Sequence, residues 1–269
     1  MTVAPTAPLP FDLFSPGSAQ TAVLIAMRLT GIMAIAPVFS AKTVPVMVRS
    51  ALIVVFTILL QPAIFANVSH LPEITPSTAI SETLVGFAIG LGVALLVGAA
   101  EVAGDLLATQ IGLSGASLLD PMTNMSSPLL GNFFSLFAVT MLLALNVHLG
   151  MLEALATSFK TIPPGTSLNL TRGIGTMITL AGSLFIVGLR FAAPIIAAVM
   201  IGNAALAVLS RAAPQLNILS VAFPLQIGLG LLALGLALPL IATYFTDWPS
   251  QYDRQLSDLF RAFLPDGRR

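Results

Sequence analysis

The sequence predicts an all-α, integral membrane-type bundle of about six long, kinked hydrophobic helices. Three observations predict it. Hydrophobic residues make up 57% of the 269 positions and charged residues only 8%, where a soluble domain carries about 25% charged. Mean hydropathy is +0.98, so lipid or other apolar protein must solvate most of this chain. The apolar residues also fall into long runs separated by short breaks of Pro, Gly, Ser and Asn, the pattern of consecutive apolar helices.

The same composition excludes several classes. Net charge is zero, with 11 basic and 11 acidic residues and no basic run for nucleic acid. There is no cysteine, which removes disulfides, zinc–thiolate sites and thiol catalysis. His70 and His148 stand alone, so no histidine metal cluster is expected. No phosphate-cradling GxxxxGK[ST], no GxGxxG after a strand, no GxSxG and no HExxH occurs. The chain is read as no enzyme, with no catalytic, cofactor-binding or metal residues.

Residues 1–17 read as an irregular lead-in, because they carry several prolines and no early Lys or Arg, unlike a secretory signal. The first helix spans roughly Ser18–Phe39, with Ser18 as its cap. It contains Arg28, costly in hydrocarbon unless it snorkels or pairs. The second runs roughly Val46–Ala66, long enough to span with its flanks, and Pro62 should bend its last turn. The third begins near Ser77 or Ser81, with Glu82 near its positive dipole end, and reaches about Gln110. Gly86 and Gly90 in it form a small-xxx-small spacing that lets helices approach.

The fourth helix covers about Leu129–Phe159, with Phe133, Phe134 and Phe137 as a packing cluster near its start. Pro163-Pro164-Gly165 then stops the chain. The fifth runs from about Thr171 to Leu209, too long for one ordinary span, with Pro194 and Gly202 as sites for a kink or break. The sixth covers about Asn217–Phe245. The tail, 246–269, carries Leu256, Leu259, Phe260 and Phe263 at helical spacing. It reads as a short amphipathic helix on a membrane surface or a partner. The helical part, 18–245, is treated as a single domain.

Lys and Arg positions give no clean inside–outside asymmetry over six spans. Alternate loops hold Lys42, Arg49 and Arg211 on one side, and Lys160, Arg172 and the tail arginines on the other. Either the span count is wrong or these helices do not sit in a bilayer in the usual way.

The candidate working part is the broken centre between the third and fourth helices. Its residues include Ile111, Gly112, Leu113, Ser114, Gly115, Leu118, Leu119, Asp120, Pro121, Met122, Asn124 and Met125. One reading is an ordinary surface loop, which Asp120-Pro121 would initiate. The other is a plug in a pore, since no residue from Ile111 to Leu119 is charged. Irregular backbone at membrane depth is tolerated only when buried in protein or lining a cavity. Methionine suits a seal that must deform and re-form.

Glu101 and Asp105, four apart on one helix face, could relay protons. The favoured reading is structural: they pair with Arg28, Arg190 or Arg211, or cap backbone of the broken centre. His148 could act as a proton-sensitive switch, but a hydrogen-bonded buried or interfacial histidine is the simpler reading.

Four motifs, in order, resemble the FliR family of the flagellar type III export gate. They are RLTGIMAIAPVFSAKTVP with Arg49, EVAGDLLATQIGLSGASLLDP, NVHLGMLEALATSFKTIPPG and LRFAAPIIAAVMIGNAALAVLSRAAPQLNILSVAFPLQI. PVFSAKTVP and NILSVAFPLQI favour the flagellar branch over the related virulence injectisome branch. The resemblance implies a FliP-like part to about residue 188 fused to a FliQ-like part from about 189. It also implies assembly with FliP and FliQ, association with FlhA and FlhB, and passage of exported flagellar proteins through the pore. The place would be the bacterial inner membrane, within the flagellar basal body. The loop matching residues 111–127 would help close that pore. A small-solute secondary transporter is the alternative; it requires inverted repeats and midplane charge pairs that the sequence does not display.

Overall fold

The computed structural model describes residues 16–40, 44–65, 73–113, 129–212 and 218–265. Among them every regular element is an α-helix: α1 Pro16–Ile35, α2 Pro37–Ser40, α3 Val46–Phe65, α4 Pro76–Ile111, α5 Leu129–Ala144, α6 Val147–Thr161, α7 Leu170–Ala212 and α8 Ile218–Phe263. The architecture is the all-α membrane-type bundle that the composition predicts. Among the described residues, four stretches are long and apolar enough to cross a membrane: Gly17–Ile35, Pro76–Ile111, Leu170–Ala212 and Pro224–Phe263. The second expected span is α3, whose 20 residues are about 30 Å long at about 1.5 Å per residue, the thickness of a hydrocarbon core of about 30 Å.

The described chain forms two compact units. One consists of the residues up to Ala94, Asn146–Thr179 and the residues from Ser250. Its core is Leu24, Ile25, Leu29 and Ile32 of α1 against Val85, Ala88, Ile89 and Val93 of α4, with Met151, Leu155 and Phe159 of α6. The glycines allow this packing. A Cβ on Gly86 would lie 2.7 Å from the backbone carbon of Arg28, and one on Gly31 2.6 Å from the Phe87 nitrogen. Gly90 is equally tight, 2.6 Å from the Ile35 side chain. Thus α1 and α4 run parallel in near backbone contact, as the small-residue spacing predicts.

The second unit holds Leu95–Leu145 and Leu180–Pro249. Here the three phenylalanines of α5 join an aromatic cluster. Phe137 meets Phe245 edge-on at 5.9 Å, and Phe245 stacks on Phe191 at 5.6 Å. Such offset pairs contribute about 0.5–1.5 kcal/mol each beyond area burial. Gly188 of α7 lies against α4, where a Cβ would sit 2.9 Å from the Ala99 carbonyl.

Four boundaries differ from expectation. Thr75, not Ser77 or Ser81, caps α4, its Oγ1 accepting the Thr78 N–H at 3.2 Å. The fourth helix is two helices, α5 and α6, bent by 66°. Asn146 at the break adopts φ 57°, ψ 26°. Asn is the non-glycine residue that visits this left-handed region at least cost, and its presence between two apolar runs was the unread signal. The fifth helix passes Pro194 and Gly202 without a break and is one α-helix of 43 residues, continuous through Leu189.

The tail is no separate amphipathic helix. It is the end of α8, which continues through Pro224, Pro239 and Pro249 to Phe263. Its apolar residues Tyr252, Leu256, Leu259, Phe260 and Phe263 are buried in the protein's own first unit. The Tyr252 hydroxyl donates to the Ile89 carbonyl at 2.9 Å, and the Phe263 carbonyl accepts from the Asn169 N–H at 2.9 Å. These bonds satisfy groups that a free surface helix would leave to water.

The left-handed Asn146 generates a test. Asn146→Gly should leave the detergent-purified protein's thermal midpoint unchanged or slightly raised. Asn146→Val should destabilise it by about 1–2 kcal/mol, the cost of a Cβ-branched residue in this region. Equal melting of the two variants would contradict the strain assigned to this position.

Candidate functional site

The most polar place in the first unit is built around Arg28. Its side chain is fully buried, at 0% exposure. The position follows from the α1–α4 crossing: Gly31 and Gly86 bring the two backbones together one turn away, and Glu82 then faces Arg28. Nε donates to Glu82 Oε2 at 2.5 Å, one η-nitrogen donates to Ser158 Oγ at 2.7 Å, and the other to the Ile162 carbonyl at 2.7 Å. The guanidinium carbon also lies 3.9 Å from the centroid of the Phe159 ring, a cation–π distance.

Each partner is itself held. The Ser158 hydroxyl donates to the Leu155 carbonyl at 2.6 Å. The Ile162 carbonyl lies just past the end of α6, where the negative end of the helix dipole favours a cation. The other oxygen of Glu82 accepts the Gly165 N–H at 3.2 Å. Gly165 has φ 75°, a left-handed value at the turn that the Pro-Pro-Gly sequence predicts. One buried ion pair therefore fastens α1, α4, the end of α6 and the turn before α7.

The second place is the root of the broken centre. Of the candidate plug residues, Ile111, Gly112 and Leu113 are described; Ser114, Gly115, Leu118, Leu119, Asp120, Pro121, Met122, Asn124 and Met125 lie outside the described residues. Ile111 is fully buried at the end of α4. Gly112 follows with φ 84° and donates to the Thr109 carbonyl at 3.3 Å. That is a left-handed glycine terminating a helix. The side-chain amide of Gln226 donates to the Gln110 carbonyl at 2.6 Å. Where the chain is described again, α5 starts against α4: a Cβ on Gly104 would sit 2.6 Å from the Leu130 carbonyl carbon. Both ends of the segment are thus rooted on the same stretch of α4, roughly 10 Å apart along its axis for the seven residues from Gly104 to Ile111.

The charges do not meet as the sequence reading supposed. Arg28 pairs with Glu82, not with Glu101 or Asp105. Glu101, Asp105, Arg190 and Arg211 are all exposed on this chain, and no ion pair joins them among the described residues. Asp105 does touch backbone beside the broken centre, since a Cβ on Gly131 would meet its carboxylate. This sets a negative charge at the first turn of α5, the favourable end of that helix. His148 is half-buried in the first turn of α6, and its Nδ1 is shielded with no hydrogen-bond partner among the described residues. No group of three or more potential metal ligands occurs among the described residues.

Ser158 and Gln226 are polar groups that the sequence reading did not assign, and Glu82, read there only as an acid near the positive end of the third helix, is the partner of Arg28. A buried arginine demands an acid. The small residues Gly31 and Gly86 mark the crossing at which the acid one turn away on α4 is the partner.

The hub is testable. Arg28→Met should strand Glu82 and cost about 3–5 kcal/mol, seen as lost membrane abundance and a lower thermal midpoint. Glu82→Gln should do nearly as much damage. The double variant Arg28→Met/Glu82→Leu should recover part of the loss, since it leaves no unpaired buried charge. Strictly additive losses would argue against a coupled pair.

Comparison with known proteins agrees with the motifs. The family model described as "Bacterial export proteins, family 1" matches residues 19–251. The chain is 31% identical to the flagellar biosynthetic protein FliR of Pectobacterium carotovorum subsp. carotovorum, with 87% of this chain and 90% of the relative covered. The flagellar biosynthetic protein FliR of Escherichia coli (strain K12) is also 31% identical, with the same 87% and 90% coverage. That of Aquifex aeolicus (strain VF5) is 34% identical over 69% of each chain. The span of the family match and the identity to these relatives establish that the chain belongs to the bacterial export proteins, family 1, in the FliR family.

Proposed function

We propose that this chain is a core subunit of the flagellar type III protein export channel in the bacterial inner membrane. With FliP and FliQ it forms the passage for unfolded flagellar proteins, next to FlhA and FlhB. The segment from Ile111 to about Ser127 helps plug that passage. The part from about Leu189 onward is FliQ-like, and the part before it FliP-like. The chain performs no catalysis; it shapes and seals a conduit.

The observation that carries the reading is the exit from α4. A helix of 36 residues, 67% buried in its most apolar window, ends on a buried isoleucine and a left-handed glycine. It then continues into a stretch with no charge before Asp120. A polar surface loop has no need of that composition, whereas a seal against water and ions does. Arg28 acts in this reading as a structural charge buried with its acid, and Glu101, Asp105, Arg190 and Arg211 act as structural charges at surfaces covered by partner subunits.

Deletion of Gly112–Ser126 tests the plug. The variant should still co-purify with FliP and FliQ, while cells expressing it lose membrane potential, read with a voltage-sensitive dye. A deletion strain that holds its potential sinks the plug. Gly112→Val, which forces a branched side chain to φ 84°, should reduce swimming, and Gly112→Asn should retain most of it.

A further inference from the structure

The end of α8 is tied to the start of α7. The Asn169 N–H donates to the Phe263 carbonyl at 2.9 Å, and Gly173, lacking a Cβ, leaves room for the Phe263 ring. This docking brings two arginines to one cavity. Arg172 comes from the first turn of α7 and Arg261 from the last turn of α8. The cavity has a volume of about 670 Å³, inside the roughly 300–1,000 Å³ of small-ligand sites. Its described lining also includes Asp258, Thr176, Ala262 and Leu264, and all of that lining belongs to the first unit.

The charges define what such a cavity would accept. Arg172 carries its cation at the positive end of α7, where the helix dipole disfavours it and a nearby anion would relieve it. Arg261 lines the same space, and guanidinium groups bind phosphate through paired N–H donors. Asp258 adds one negative charge to that lining. It would repel a second negative charge on a ligand and attract a cation. At the same height α7 exposes Leu170, Ile174 and Ile178, so a polar hollow opens beside a surface that calls for an apolar medium. Two cations, one acid and an apolar border match an amine-bearing phospholipid better than a soluble anion.

We propose that this cavity binds a phospholipid headgroup carrying a phosphodiester and a primary amine. Arg172 and Arg261 hold the phosphodiester, and Asp258 accepts from the ammonium. The lipid joins the start of one candidate span to the end of another and holds both at the headgroup layer. The site is independent of the channel reading, because its lining lies wholly in the first unit.

The test uses the detergent-purified full chain, stripped of lipid. Phosphatidylethanolamine, phosphatidylglycerol, phosphatidylcholine and inorganic phosphate are added in turn, and bound lipid is read by native mass spectrometry. Phosphatidylethanolamine should be retained about tenfold better than phosphatidylglycerol, which has no amine. It should also exceed phosphatidylcholine, whose quaternary ammonium donates no N–H. Arg172→Gln and Arg261→Gln should each lower its retention about tenfold, the scale of one hydrogen bond to a charged group. Asp258→Asn should abolish the preference over phosphatidylglycerol. Arg254→Gln, which alters an exposed arginine of α8 outside the cavity, should change nothing.

Unchanged retention in the double variant Arg172→Gln/Arg261→Gln overturns the site. An Asp258→Asn chain that still prefers phosphatidylethanolamine overturns the role given to the amine. Displacement of the lipid by inorganic phosphate marks a soluble-anion site and overturns the lipid. Should the double variant not fold, the unaltered chain decides: phosphatidylethanolamine should raise its thermal midpoint more than phosphatidylglycerol does, and equal shifts overturn the proposal.

Discussion

A guanidinium with no access to water is the constraint around which the first unit is arranged. Arg28 is fully buried in an apolar helix, where an unpaired charge would cost several kcal/mol even after relaxation. Its tolerance there requires an acid, further acceptors and a close-packed wall, all at fixed distances. Glu82, Ser158, the Ile162 carbonyl and the Phe159 ring meet those requirements. Because they come from different helices and from the turn after α6, none of these elements can shift alone. Hydrophobic contact among leucines and isoleucines is non-directional and would accept several registers. The buried pair accepts one.

The glycines make that pairing geometrically possible. The Arg28 carbonyl carbon would lie 2.7 Å from a Cβ on Gly86, so no larger residue fits between the helix axes. The same device recurs in the second unit, with Gly188 against Ala99 and Gly230 against Ile111. In a chain this apolar, association of helices gains little from excluding water and relies on close packing and on a few hydrogen bonds. The polar contacts that matter are accordingly few, short and placed at small-residue crossings.

Much of this was legible in the sequence, for reasons that differ by feature. Helix class and most helix starts follow from long apolar runs, which do not depend on tertiary context. The Gly86–Gly90 contact follows from spacing. The Arg28–Glu82 pair was not read, because each residue lies in its own apolar run and only the parallel register of α1 and α4 joins them. The bend at Asn146 was hidden because asparagine is also common in continuous helices, so its left-handed conformation is decided by what surrounds it. The extension of α8 past Phe245 was missed because the apolar run gives way there to charged residues from Asp247 and to Pro249, and proline is unfavourable inside a helix in water. In an apolar bundle, neighbouring helices and local adjustment satisfy the freed carbonyl. Arg190 and Arg211 were paired in the reading with acids that stand apart from them in the structure, since charge balance within a chain says nothing about distance.

The length of α7 has a consequence for what must surround the chain. Exposed apolar side chains recur along it from Ile174 through Phe185, Leu189 and Ile201 to Leu209. At about 1.5 Å per residue this stripe is roughly 53 Å long, against a hydrocarbon layer of about 30 Å. Even tilted by about 40°, the upper end of what spanning helices adopt, it stands about 40 Å tall. Lipid tails therefore cannot wet all of it, and water must not. The remainder needs a proteinaceous solvent, so that by surface alone this polypeptide is one component of a larger particle, exposing on its own some 10 Å or more of helix that neither medium can cover.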